Sequence, residues 1–109
     1  MAKTSLCWQF LGILIVAVAA PPNAKAENVE RGLAVTKEWC GRCHAYDPEA
    51  PWNSIGNSPS FMLMAKKLES YEPRILTVTG RRPHIALEMQ LTDEQLEDVV
   101  AYVITLKPE

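Results

Sequence analysis

The apolar residues of this chain recur with helical spacing at both ends of residues 27–109. Between residues 27 and 39 they follow spacings of three and four, which predicts a first helix over that range. The clearest pattern follows Thr92, where a good N-cap residue, Gln95 in a capping-box position and an apolar stripe predict the last helix. The stripe consists of Leu96, Val99, Val100, Val103 and Leu106.

The middle of the chain is less regular. Prolines and glycines interrupt residues 45–59, which predicts a loop, and residues 80–90 are predicted as a second loop. A short helix is predicted over 60–68, and another short helix or turn is predicted to start at Glu72 and Pro73. Because no alternating strand pattern is long enough to predict a sheet, the expected fold class is all-α.

The first 26 residues have a different composition. Lys3 gives a positive start, and residues 6–20 form an uncharged and mostly apolar run. The segment ends in Ala24-Lys25-Ala26, in which the two alanines are the small residues at the positions that a signal peptidase reads. This order predicts a secretory signal peptide cleaved after Ala26 and a periplasmic protein. A retained membrane anchor is the alternative, although the run of 15 residues is shorter than the roughly 20 that a spanning helix needs.

Cleavage would leave one domain, residues 27–109, which contains 83 of the 109 residues. With Lys3 and Lys25 removed and no acid lost, the formal net charge changes from −2 to −4. This balance and the lack of a basic cluster argue against a nucleic-acid partner. The acidic residues of the last helix are predicted to form a solvated face. A domain of this size has a marginal core and often needs a metal or cofactor.

The two cysteines that remain after cleavage lie in one motif, Cys40-Gly41-Arg42-Cys43-His44. C-x-x-C-H is typical of c-type haem attachment, because two thiols one turn apart can bond to the vinyl groups of one haem. The adjacent histidine then supplies the proximal iron ligand. A zinc site would need further ligands, and a redox dithiol would be expected after a strand in a β-α-β unit, which the pattern does not predict.

Together with this motif, three features resemble the class I cytochrome c family: Gly32 eight residues before Cys40, the sequence Pro-Ser-Phe at 59–61, and the ending over 91–103. The resemblance covers nearly all of residues 27–109. It implies the cytochrome c fold, with the first and last helices crossing at about a right angle around one covalently bound haem c and its iron. Gly32 would give room for an aromatic residue such as Tyr102.

The sixth iron ligand is where the chain departs from the family, since the usual distal methionine would fall at Ala86. Met89 is the predicted distal ligand if the loop is shifted, and His84 is the alternative. Met62 and Met64 are more simply explained as core residues of the middle helix. An open sixth site is a further alternative.

Haem propionates need hydrogen-bond donors, and guanidinium and indole N–H groups pair well with carboxylates. The candidate contacts are Arg81, Arg82 and Trp52, and the alternative for the two arginines is that they are ordinary surface charges. The resemblance also implies that a carbonyl from a proline-containing loop orients His44. The loop at Pro59 is the first choice, and the loop at Pro51 is the second.

The predicted function is electron transfer by a periplasmic carrier that docks transiently to redox partner proteins and is not itself an enzyme. No nucleophile and base pair and no paired buried carboxylates can be argued from the sequence. Two alternatives stay open: a haem protein with an open or labile sixth site that binds small ligands, and a dedicated electron-accepting subunit of a dehydrogenase or oxidase.

Overall fold

The structure is a computed structural model and describes residues 15–17, 24–80, 84 and 90–109. These residues form helices, turns and extended segments, with no strand among them, so the predicted all-α class is confirmed. The α-helices are α1 (Ala24–Val35), α2 (Phe61–Lys66), α3 (Leu68–Leu76) and α4 (Asp93–Thr105). None of the described helices is long and apolar enough to cross a membrane. Most of the predicted signal peptide lies outside the described residues.

The first helix is longer than predicted at its amino end and changes geometry at its carboxyl end. It begins at Ala24 rather than at Glu27, and it continues beyond Val35 as a π-helical turn over Thr36–Cys40. The backbone N–H of Gly41 donates to the carbonyl of Thr36 at 2.8 Å, which is the wider hydrogen-bond spacing of a π turn. Such turns are rare in proteins, and those that do occur are often found at functional sites. This one leads directly into the C-x-x-C-H motif.

Helices α1 and α4 make the most extensive contact between two elements, and Gly32 is its closest point. A Cβ atom built on Gly32 would lie 1.8 Å from the backbone oxygen of Asp98 and 3.1 Å from the backbone nitrogen of Val99. The predicted close approach at this glycine is therefore present. The nearest atoms belong to the backbone of α4, however, and not to an aromatic ring.

The same contact corrects the prediction that the acids of the last helix form a solvated face. Asp98 is only 4% exposed, and its Oδ2 accepts a hydrogen bond from Nε of Arg31 at 3.0 Å. Arg31 also pairs with Glu27 one turn earlier, at 3.0 Å. Gly32 brings the backbones of α1 and α4 together at Asp98, and the Asp98 carboxylate is buried there. Arg31, the residue before Gly32, is therefore close enough to pair with it.

Helix α4 begins as its sequence predicts. The side chain of Thr92 accepts from the backbone N–H of Gln95 at 3.1 Å, and Oε1 of Gln95 accepts from the backbone N–H of Thr92 at 2.9 Å. This reciprocal pair is the capping box. Four of the five stripe residues are buried, namely Leu96, Val99, Val100 and Val103, and the fifth, Leu106, is half-buried.

The middle of the chain contains two helices with a break at Lys67. Ser60 caps α2 by accepting from the backbone N–H of Leu63 at 3.1 Å. The prediction that the next helix starts at Glu72 and Pro73 is wrong, because α3 starts at Leu68 and contains Pro73 in its interior. Helix α3 begins directly after Lys67, because the Lys67 carbonyl accepts hydrogen bonds from the backbone N–H groups of Ser70 and Tyr71. A final 3-10 turn covers Val78–Gly80.

Candidate cofactor site

A cavity of about 870 Å³ lies between the motif and the helices. Cavities that bind cofactors and other small molecules commonly have volumes of about 300–1,000 Å³. All three chemically active residues of the motif line this cavity, namely Cys40, Cys43 and His44. The opposing walls are largely apolar and include Phe61, Met64, Ile75, Val78, Leu91, Leu96 and Val99.

Backbone hydrogen bonds hold the motif in a tight turn at the end of the π turn. The N–H groups of Cys43 and His44 both donate to the carbonyl of Cys40, at 3.1 and 3.0 Å. The carbonyl of Cys43 in turn accepts from the N–H of Ile55 at 2.9 Å, which ties the motif to the following loop. The two thiols and the imidazole therefore belong to one backbone unit with little freedom to separate.

Gly41 lets this unit pack against a tyrosine. A Cβ atom at Gly41 would lie 2.7 Å from Cε1 of Tyr46 and 3.1 Å from the carbonyl oxygen of Lys37. The carbonyl of Tyr46 accepts a hydrogen bond of 2.6 Å from the hydroxyl of Tyr102 on α4. Tyr46 thus connects the motif to α4, because its ring packs on Gly41 and its backbone carbonyl bonds to Tyr102.

The ring of His44 is oriented by the loop at Pro59, which the sequence analysis placed first. Nδ1 of His44 lies 2.6 Å from the carbonyl oxygen of Pro59. Because a carbonyl can only accept, Nδ1 must carry the proton, and the lone pair of the neutral ring is then on Nε2. An imidazole held in this way is the usual state of a metal-binding histidine. Phe61 packs edge-on against the same ring, with the centroids 5.9 Å apart.

Both cysteines are free thiols and half-buried. Burial, with a smaller contribution from Cys43, raises the pKa of Cys40 to about 11. A redox dithiol normally has a lowered pKa, because the thiolate is its reactive form. The environment of Cys40 is therefore unlike that of a redox dithiol. Within the described part of the chain, no group of three or more His, Cys, Asp or Glu side chains is arranged to hold a metal ion.

His84 lines the same cavity as the motif and lies close to His44 in space, although the two are 40 residues apart in the sequence. Its ring is parallel to that of His44 within 1°, and the two ring centroids are 6.2 Å apart. Partial burial, and secondly the nearby His44, lower the pKa of His84, which favours the neutral form that binds metals. The other residues predicted for this segment, Arg81, Arg82 and Met89, lie outside the described residues.

The predicted propionate contact Trp52 does not line the cavity, and its side chain is 75% exposed. Two residues of α3 that sequence reasoning missed do line it, namely Tyr71 and Arg74. The Arg74 guanidinium lies 5.4 Å from the centroid of the Tyr71 ring. Tyr71 was overlooked because the helix was predicted to begin after it, which removed the four-residue spacing that connects Tyr71 with Ile75. Arg74 lay inside the predicted helix, but no sequence pattern connected it with the cavity.

The described residues fit a covalently attached haem. Two thiols and one imidazole with an available ring nitrogen lie on the wall of one cavity, and apolar side chains form most of the rest of that wall.

No family model matches the chain, and comparison with curated proteins and with solved structures gave no match either. The function is therefore argued from the geometry of this cavity.

Proposed function

We propose that this chain is an exported c-type cytochrome, similar to class I cytochromes c, which carries single electrons through one haem attached to Cys40 and Cys43. The observation that carries the proposal is the 2.6 Å contact between Nδ1 of His44 and the carbonyl of Pro59, inside a cavity that both cysteines also line. A hydrogen bond of this kind fixes the tautomer and orientation of a metal-binding histidine and leaves Nε2 for the metal.

The bound haem would supply a one-electron couple between its ferric and ferrous states. The chain's own residues then have separate tasks. Cys40 and Cys43 would hold the macrocycle through thioether bonds, and Nε2 of His44 would be the proximal iron ligand. The Pro59 carbonyl keeps the imidazole in one orientation. The apolar wall, including Phe61, would pack against the haem and keep water from it, which would limit reorganisation when the charge of the site changes.

The contact between α1 and α4 supports the fold part of the proposal. In a cytochrome c fold the first and last helices cross, and a glycine at the crossing lets their backbones touch. Gly32 would have this position in the proposed fold, and its close contact with the backbone of Asp98 supports that proposal. Export is proposed from the positive start, the apolar run and the small residues at 24 and 26, the order that is typical of a signal peptide.

Apolar side chains beside the motif suggest where electrons would enter and leave. Trp39 precedes Cys40 and is 41% exposed, and Ile55, whose N–H donates to Cys43, is 57% exposed. A small apolar patch at the attachment edge suits a redox partner that docks weakly and releases quickly, as electron-transfer partners do. We propose this edge as the docking side.

The proposal is tested by expressing the full chain in a bacterium that carries out c-type haem maturation and titrating the purified protein electrochemically. We expect one reversible one-electron transition, with no binding of carbon monoxide to the reduced protein at neutral pH. A protein without haem absorption would contradict the proposal. Rapid and complete carbon monoxide binding would instead favour the alternative of a ligand-binding haem protein.

A further inference from the structure

We infer that His84 is the second axial ligand of the iron, so that the haem of this protein would be held between two imidazoles. The inference rests on the proposed function, because it needs a haem in the cavity. It also differs from the expectation for Met89 that the sequence favoured. The observation behind it is the parallel arrangement of the His44 and His84 rings, both of which line the cavity.

The separation of the two rings matches the length of a metal bridge. A five-membered ring with bonds of about 1.33 Å places its nitrogens about 1.1 Å from the ring centre. Bonds from histidine nitrogen to a first-row metal such as zinc are about 2.0–2.1 Å long. Two imidazoles on opposite sides of one metal atom therefore have centres about 6.3 Å apart. The observed separation of the His44 and His84 ring centroids is 6.2 Å.

The chemistry of His44 is consistent with such a bridge. Its Nδ1 is directed to Pro59, so Nε2 is the nitrogen left for a metal. His84 lines the same cavity as His44 and both cysteines. Met64 is the one thioether that lines the cavity among the described residues, and it is buried in the core cluster with Phe61 and Val99. That cluster already explains the position of Met64.

Ligation by His84 has two functional consequences. Both axial positions would be filled by protein side chains, which excludes small ligands and suits outer-sphere electron transfer. A second imidazole stabilises the ferrous state less than a thioether does, so the reduction potential would be lower than that of a cytochrome with a methionine ligand.

Electron paramagnetic resonance of the oxidised wild-type holoprotein is the first test. Two parallel imidazole planes predict a low-spin ferric signal of the rhombic type, and the optical spectrum is expected to lack the far-red charge-transfer band of a sulfur–iron bond. A clear sulfur–iron band in the wild type would overturn the inference.

Three variants complete the test. His84→Ala is expected to convert the oxidised haem to the high-spin state, to let the reduced form bind carbon monoxide, and to regain the low-spin spectrum when imidazole is added. His84→Met is expected to shift the reduction potential upward. The comparison variant Met89→Leu is expected to leave the spectrum unchanged.

The outcomes separate this inference from the proposed function. A low-spin spectrum that persists in His84→Ala, or one that is lost in Met89→Leu, would overturn the assignment of His84 while leaving a covalent haem in place. A wild-type protein that matures without any haem would overturn the proposed function itself.

Discussion

The contact between α1 and α4 and the wall of the cavity are built in different ways. At the helix contact, protein atoms meet protein atoms directly: Gly32 touches the backbone of Asp98, and Arg31 pairs with the carboxylate of the same residue. At the cavity wall, side chains from distant parts of the sequence face a common space, and the rings of His44 and His84, which both line it, are parallel. The helix contact needs only protein atoms, whereas the proposed function places a haem between the walls of the cavity.

This difference has a measurable consequence. Substitutions at the helix contact should lower the free energy of unfolding without changing the spectrum of the haem. Substitutions in the cavity wall should change the spectrum or the reduction potential together with stability. Each of the following predictions can support or contradict this difference between the helix contact and the cavity wall.

The largest effect is expected for Gly32→Ala. The added Cβ would lie 1.8 Å from the backbone oxygen of Asp98 and 2.5 Å from its carbonyl carbon, and neither backbone atom can move without separating the helices. We expect a loss of about 4 kcal/mol or more in the free energy of unfolding, measured by denaturant titration.

Gly80→Ala is the matched control, because none of the described residues lies within 4 Å of a Cβ at that position. Its effect should stay within about 0.5 kcal/mol. Equal midpoints for Gly32→Ala and the wild type would show that the helix contact is looser than described.

An intermediate effect is expected in a pair of core variants. Val103 is fully buried and does not line the cavity, whereas Phe61 lines it and packs against the His44 ring. Val103→Ala should cost about 2 kcal/mol of stability with unchanged haem absorption. Phe61→Leu should cost about 1 kcal/mol and should also shift the absorption bands or the potential. If both variants shift the haem spectrum equally, the distinction between the two regions fails.

The sequence predicted those parts of the molecule that depend on neighbours in the chain. The start of α4 follows from Thr92 and Gln95, since a capping box involves only residues three apart. The motif from Cys40 to His44 is equally local. The contact between His44 and Pro59 was reached through the family resemblance, because no local pattern connects the two residues.

The parts that sequence reasoning missed depend on tertiary contacts. Asp98 has the charge and spacing of a surface residue, and only the approach of Gly32 buries it. Pro73 favours the first turn of a helix, yet the break at Lys67 starts α3 earlier. His84 is 40 residues from His44, and spacing over such a distance gives no information about which residues face each other.

The smallest effect is expected for Tyr102→Phe, which removes the hydrogen bond of 2.6 Å to the carbonyl of Tyr46. We expect a loss of about 1 kcal/mol at neutral pH. Burial, followed by Asp47 and Tyr46, raises the pKa of Tyr102 in the folded protein.

The raised pKa also predicts a dependence on pH. The unfolded chain releases the phenol proton first, so this contribution to stability is present below the ordinary tyrosine pKa of about 10 and is lost as the pH rises above it. Unfolding measured across the alkaline range should show that Tyr102→Phe is less sensitive to high pH than the wild type. The same alkaline slope in both proteins would assign the titration to another group.

The central claim is that Cys40 and Cys43 attach one haem. Intact mass measurement of the matured protein under denaturing conditions tests it most directly, with Cys40→Ser, Cys43→Ser and the double variant beside the wild type. The account predicts a wild-type mass equal to the polypeptide plus one haem that resists extraction, and no covalently bound haem in the double variant. A wild-type polypeptide that carries both cysteines unmodified after maturation, or a double variant that still retains a covalent haem, would contradict the claim.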